Sequence, residues 1–165
     1  MNTRDLALAA VLAALYALGC VLLAPISYWI FQVRVADALV PLSALFGWPA
    51  MLGVAVGGLV ANFFTPVPLA LVDIVLGSIA NFVASYLAWR VRKIHLFLST
   101  IVANLAVTFI VGTYLSLLLG FPIYIGWLGL FIGSFIAMNL IGYMLMKVLQ
   151  ATGALEALGY GRKAK

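Results

Sequence analysis

The chain has 165 residues, of which 67% are hydrophobic and 8% charged, against roughly 25% charged in an ordinary soluble domain. A water-soluble globule is excluded, and at about 1.5 Å per helical residue and about 20 residues per crossing the length allows at most about six or seven short membrane spans. The net charge of +5, which would suggest nucleic acid in a soluble protein, is here read by position relative to the spans, and no nucleic-acid partner is expected.

One cysteine, Cys20, permits no internal disulfide, and one histidine, His95, leaves no cluster for a protein-bound zinc or haem. No cofactor and no metal site is expected.

The first apolar run, from about Leu6 to Ala24, follows Arg4. Gly19-Cys20 imitates a lipoprotein cleavage site, but Val21, Leu22 and Leu23 continue the run to about 19 residues, where a signal core needs only about 7 to 15. A retained helix is predicted. Pro25 to Val33 is apolar and aromatic but too short to span, so it reads as a lid or an interfacial loop.

The stretch from Ala38 to Phe64 fits either one tilted helix or two short ones around Gly47-Trp48-Pro49. With two passes here, and one each from about Val72 to Trp89, Ile94 to Leu119 and Ile123 to Leu149, the chain has six spans and both ends share a side. On that side lie Arg4, Arg90, Arg92, Lys93, Lys147, Arg162, Lys163 and Lys165, with Arg34 alone opposite. A single pass would separate Arg4 from the other cations, which charge alone does not exclude. The Gly-Trp-Pro breaker favours two. The predicted fold is thus all-α, an integral membrane bundle of six transmembrane helices with N and C termini cytoplasmic. Its second helix, about Val35 to Phe46, is too short to cross alone and needs protein around it. Residues 1–151 form the membrane domain, and 152–165 a basic cytoplasmic tail with a Leu155, Leu158 edge. Thr65-Pro66-Val67-Pro68 is a rigid outer loop.

Small residues recur at helix-packing spacing: Ala9, Ala13 and Ala17 beside Ala10 and Ala14, then Gly53 and Gly57, Ala80, Ala84 and Ala88, and Gly129 and Gly133. Such stripes let backbones approach closely in lipid. Packing within the bundle accounts for the glycines. The double alanine stripe of the first helix offers more small surface than one neighbour requires, which leaves open a partner membrane protein.

Polar residues inside the membrane are few and costly. Arg34 and Asp37 sit three apart, which on a helix permits an ion pair. Asp73 begins the fourth helix, where it would cap free N–H groups. Ala-Asn pairs recur at Asn62, Asn81 and Asn104. Against these bland roles stands a sharper one: Asp37, Asp73 and the asparagines converge on the outer half. Near them lie Trp29, Phe63, Phe64, Tyr114, Tyr124 and Trp127, which suit either an interfacial aromatic belt or a pocket wall. Carboxylates, amides and aromatic plates fit a flat heterocycle, whose ring stacks while its N–H groups donate to a carboxylate. Enzyme signatures are absent, including the phosphate-binding Gly-x-x-x-x-Gly-Lys-Ser/Thr loop.

Asn2-Thr3-Arg4-Asp5-Leu6, Ala13-Ala14-Leu15-Tyr16, Ala24-Pro25-Ile26-Ser27 and Gln32-Val33-Arg34-Val35-Ala36-Asp37-Ala38-Leu39 resemble the opening of the queuosine-precursor transporter (QueT-type) family. Gly53, Gly57, Ala61-Asn62 and Asp73-Ile74-Val75-Leu76-Gly77-Ser78 continue the likeness, which is strong over about the first 90 residues and mostly hydropathic beyond. The family's members are substrate-binding S components of energy-coupling-factor (ECF) transporters. The resemblance implies a prokaryotic plasma-membrane subunit that binds a 7-deazaguanine-type base from outside. Its transport partners would be a transmembrane coupling subunit and two ATPases. Ala9, Ala10, Ala13, Ala14 and Ala17 are similar to the docking surface for that coupling subunit. The substrate set comprises Asp37, Asp73, Asn62, Asn81, Asn104, Arg34, Gln32, Trp29 and Phe63. Two departures from the family pattern stand out: Asp37 in place of Glu in the second helix, and Gly133-Ser134 in place of a Gly-Glu step in the last. An S component for another vitamin-like heterocycle and a self-sufficient carrier driven by an ion gradient remain alternatives. A membrane enzyme lacks the residues it would need.

Overall fold

The structure is a computed structural model that describes residues 2–27, 33–64 and 70–161, and among these there is helix and no strand. Six helices follow in order: α1 (Thr3–Leu22), α2 (Val35–Phe46), α3 (Trp48–Asn62), α4 (Asp73–Val91), α5 (Leu96–Leu119) and α6 (Ile123–Ala151). A helical turn, Ala24–Ser27, follows α1; another, Ala70–Val72, leads into α4; a short α7 (Ala154–Ala157) ends the described chain. Four of the helices, α1, α4, α5 and α6, are long and apolar enough to cross a membrane.

The ambiguous stretch divides in two. Gly47 takes φ +70°, a conformation that L side chains rarely adopt, and Pro49 sits in the first turn of α3, where its missing N–H has no intrahelical partner to lose. α2 is unusual in a second way. Its first eight residues, Val35–Leu42, are 3₁₀ helix containing Pro41, and a rise of about 2.0 Å per residue carries them roughly 16 Å where an α-helix would reach about 12 Å. Of its residues, Ala36, Asp37, Ala38 and the run from Val40 to Phe46 are buried. The protein cover that so short a helix requires is present. Gly142 of α6 admits the α2 backbone, since a Cβ there would lie 2.9 Å from the Ala38 oxygen.

α1 packs along α3 through small residues. A Cβ on Gly53 would stand 2.6 Å from the Ala9 carbonyl oxygen, and one on Gly57 2.7 Å from that of Ala13. This divides the alanine stripes expected to dock a partner. Ala9 is buried and Ala13 half-buried against the glycine face, whereas Ala10 and Ala14 are exposed and Ala17 is half-buried. The heptad-like spacing could not distinguish these faces, because a small residue serves an internal and an external neighbour equally well.

The two ends of the described chain meet. Asn2 and Asp5 form a reciprocal cap on α1, Arg4 Nη1 donates to the Leu158 carbonyl at 3.4 Å, and the Tyr160 hydroxyl donates to Asp5 Oδ1. Tyr160 is buried, with its ring edge-on to Phe46 at 5.2 Å. Where α4 ends and α5 begins, Arg92 lies 4.4 Å over the Trp89 ring, and His95 Nδ1 caps α5 by accepting from the Phe97 N–H at 3.2 Å.

Two outcomes follow from this packing. Ala9→Trp should lower the melting temperature in detergent by several degrees, because overpacking costs about 1 to 3 kcal/mol; Ala14→Trp should leave it within a degree or two. Burial and the hydrogen bond to Asp5 push the Tyr160 phenol up to about 12. A phenol whose pKa is raised by folding stabilises the contact fully below its unfolded value of about 10 and loses that stabilisation as pH rises through about 12. Limited proteolysis should therefore find the segment after Ala151 increasingly open between those values, a component that Tyr160→Phe should lack.

Candidate functional site

All of α1 to α6 contribute to one buried polar cluster. Tyr16 and Cys20 come from α1, Arg34 and Asp37 from the start of α2, and Asn62 from the end of α3. Asp73 and Asn81 come from α4, Tyr114 from α5 and Ser134 from α6. Each is less than a tenth exposed. In a chain this apolar, such groups are retained only if they satisfy one another or something they bind.

Two chains of hydrogen bonds run through the cluster. In the first, Asn81 Nδ2 donates to the Tyr16 hydroxyl at 2.8 Å, which in turn donates to Asp37 Oδ1 at 2.5 Å. In the second, Arg34 Nη2 donates to Asn62 Oδ1 at 3.0 Å, Asn62 Nδ2 donates to the Asp73 backbone carbonyl, and the Tyr114 hydroxyl donates to the Asp73 carboxylate at 2.5 Å. The guanidinium joins the two. Its carbon lies 5.7 Å from the centre of the Tyr16 ring, and Nη2 also reaches Cys20 Sγ at 3.8 Å. Glycines make the room: a Cβ on Gly58 would meet the Asn81 amide nitrogen at 2.5 Å, and one on Gly77 would meet that of Asn62 at 2.6 Å.

Arg34, Asp37, Asn81 and Ser134 then line one cavity, closed by Val107, Val111 and Leu130 and with about 10 Å³ of free volume, room for about one water. The Arg34 Nε is buried and has no hydrogen-bond partner among the described residues. The site thus holds one cation and two carboxylates, and it offers donors and acceptors at the same cavity.

A profile of the QueT transporter family matches residues 6–151. The chain belongs to the QueT transporter family. No curated protein and no solved structure matches it. Membership makes this a membrane transporter of a small molecule, and the apolar helices are those of a multi-pass membrane protein.

Five residues expected at the QueT site, Arg34, Asp37, Asn62, Asp73 and Asn81, come together in the cluster. The coupling within it differs from the sequence expectation in two places. Arg34 precedes α2 with extended backbone, φ −83° and ψ 92°, and its tie to Asp37 is the Asp37 N–H donating to the Arg34 carbonyl at 2.8 Å. Three-residue spacing on one helix face therefore does not apply, and the side chains find Asn62 and Tyr16 instead. Asp73 is no helix cap: the turn Ala70–Val72 precedes it, and its carboxylate takes the Tyr114 hydroxyl.

Asn104 belongs elsewhere. It donates to Asn139 Oδ1 at 2.9 Å and accepts from Thr108 at 3.0 Å, while Asn139 donates to Thr100 at 3.0 Å. This network ties α5 to the π-helical stretch Phe135–Gly142 of α6 through the Asn139 side chain. Phe63 is 64% exposed and faces away from the cluster, as Phe64 does at 61%. Tyr124 is likewise exposed, and Trp127 donates to Thr113 beside the Phe109 ring. None of these four walls the cluster. Trp29, Gln32 and the Thr65-Pro66-Val67-Pro68 loop lie outside the described residues.

Tyr16, Cys20 and Ser134 were not singled out as site residues from the sequence. A tyrosine in the middle of an alanine-rich span was the available signal for the first, since a buried hydroxyl in lipid requires a partner. Tyr16→Phe removes one donor from Asp37 and one acceptor from Asn81. It should destabilise the protein by about 1 to 3 kcal/mol, seen as a melting temperature lower by several degrees.

Proposed function

We propose that this transporter is the substrate-binding subunit, or S component, of an ECF importer, with a 7-deazaguanine-type queuosine precursor as its substrate. The observation that carries the reading is the buried cluster of Arg34, Asp37, Asn62, Asp73 and Asn81, three of which, Arg34, Asp37 and Asn81, line one cavity, in a chain of this family. A planar base offers adjacent N–H groups to a carboxylate and a carbonyl to a cation, the complement of what these side chains present. Energy would come from two ATPases acting through a transmembrane coupling subunit, because the chain has no phosphate-binding loop of its own. The exposed Ala10 and Ala14 stripe is the face we assign to that subunit.

Six crossings with both ends cytoplasmic complete the proposal, in a prokaryotic plasma membrane. Contact between residues 4–5 and 158–160 supports an even number of passes. The basic residues Arg4, Arg90, Arg92, Lys93 and Lys147, with the basic tail, support the inside assignment for that end.

Calorimetric titration of the purified subunit with 7-deazaguanine and guanine tests the substrate. If the Asp73 carboxylate also accepts from the ring edge, Asp73→Asn exchanges an acceptor oxygen for a donor and should weaken binding about ten- to a hundred-fold, as a lost charged hydrogen bond does, whereas unchanged affinity would leave Asp73 to Tyr114 and move the assignment to the asparagines. Asp37→Asn should do the same if its carboxylate reaches the ligand. A drop in melting temperature with affinity intact would assign it to Tyr16 and Arg34 alone. Absence of binding to either base would turn the proposal to another vitamin-like heterocycle. Gradient-driven uptake by vesicles holding this chain alone would favour a self-sufficient carrier, for which Asp37 and Asp73 are the available proton sites.

A further inference from the structure

The donor that the cluster leaves over is Arg34 Nε. Arg34 is 6% exposed, its Nη2 is engaged by Asn62 and Cys20, and its plane is held near the Tyr16 ring. Nε is buried without a partner among the described residues, as Ser85 Oγ and Ser99 Oγ are, but of the three it alone is on a residue that lines the cavity, shared with Asp37, Asn81 and Ser134. A buried charged donor without an acceptor is costly, and every neighbour that fixes the guanidinium keeps it from turning to find one. Among the described residues no acceptor reaches it, so the position is open to one that a ligand brings.

We propose that Arg34 Nε reads a carbonyl oxygen on the ligand, so that the site selects a ring lactam over the same ring without its oxygen. This rests on the reading of the cluster as the substrate site. The cavity supplies both halves of a lactam's demand within one wall. Arg34 donates to the oxygen, and Asp37, the acceptor nearest in sequence and fixed to Arg34 through the backbone, accepts from the adjoining N–H. The engaged Nη2 prevents Arg34 from swinging to follow a different ring edge, so the donor is fixed before the ligand arrives. A ring nitrogen or an exocyclic amino group at the oxygen's place would present a weaker acceptor or a second donor to Nε. The loss would fall on the site as well as on the ligand, which makes discrimination by a missing hydrogen-bonding group steep.

The test is a comparison of 7-deazaguanine with 2-amino-7-deazapurine, which lacks the oxygen and with it the adjoining N–H, by calorimetry on the wild-type subunit and on Arg34→Met, so that the change of the ratio between the two proteins isolates the contact to the oxygen. The wild type should bind the lactam at least about ten-fold more tightly. In Arg34→Met that ratio should shrink by about ten-fold, chiefly through weaker binding of the lactam. A purely structural Arg34, or an Nε satisfied by a trapped water, would lower affinity for both rings by the same factor and keep the ratio, which would overturn the proposal. If Arg34→Met does not fold, Arg34→Lys, which keeps the charge and moves the donor, should narrow the ratio in the same sense. Equal binding of both rings by the wild type overturns this inference and leaves the substrate-site reading standing. Binding of neither ring overturns both.

Discussion

One buried cation organises this protein. In a chain with so few charges, placing Arg34 between helices demands that its surroundings be polar, and the demand propagates. Asn62 is turned to accept from it, the other end of the Asn62 amide then fixes the Asp73 backbone, and the Asp73 carboxylate draws Tyr114 from α5. On the other side Tyr16 lies beneath the guanidinium while joining Asp37 to Asn81. Taking any one of these away leaves a neighbour unsatisfied in a medium without water, where the cost is greatest. The cluster is therefore both the polar core of the bundle and the part most suited to hold a ligand.

The fold serves that cluster by bringing backbones close. Glycines of α3 take up α1, Gly142 takes up α2, and Gly58 and Gly77 clear space for two asparagine amides. In lipid, apolar area gives helices little reason to associate, so close contact and hydrogen bonds carry the association. This explains why α2 and α3 are short yet stable in place. α2 is enclosed by other helices, its 3₁₀ winding gives it reach, and its polar first turn is anchored by the partners of Arg34 and Asp37. The contact of Tyr160 with Asp5 and Phe46 closes the opposite end, where residues near both ends of the described chain lie by the Gly47 turn.

A second polar layer, made of Thr100, Asn104, Thr108 and Asn139, binds α5 to the π-helical stretch of α6. Val107, Val111, Leu130 and Ser134, which border the cavity, lie within two turns of it on the same two helices. On the proposed reading of the cluster as the substrate site, the cavity would have to widen to admit a base, since it now has room for about one water. The irregular turns Asp73–Gly77 and Phe135–Gly142 both stand beside it.

The sequence by itself determined the class of the protein, its helices and its break at Gly47-Trp48-Pro49, because hydropathy, span length and the backbone limits of Gly and Pro are local properties that any tertiary arrangement must respect. It also identified most of the polar cluster, since a charged or amide side chain inside a membrane span is conspicuous by its cost. The tertiary structure alone decided how those groups pair. Arg34 turned from Asp37 to Asn62 because its backbone is extended before α2 begins, and Asn104 joined Asn139 instead of the cluster because α6 faces it there. Likewise, only packing could separate Ala9 from Ala10, or Tyr114 in the core from Tyr124 at the surface. Residue type and spacing state what a side chain needs, and which neighbour meets the need depends on helices that are distant in sequence.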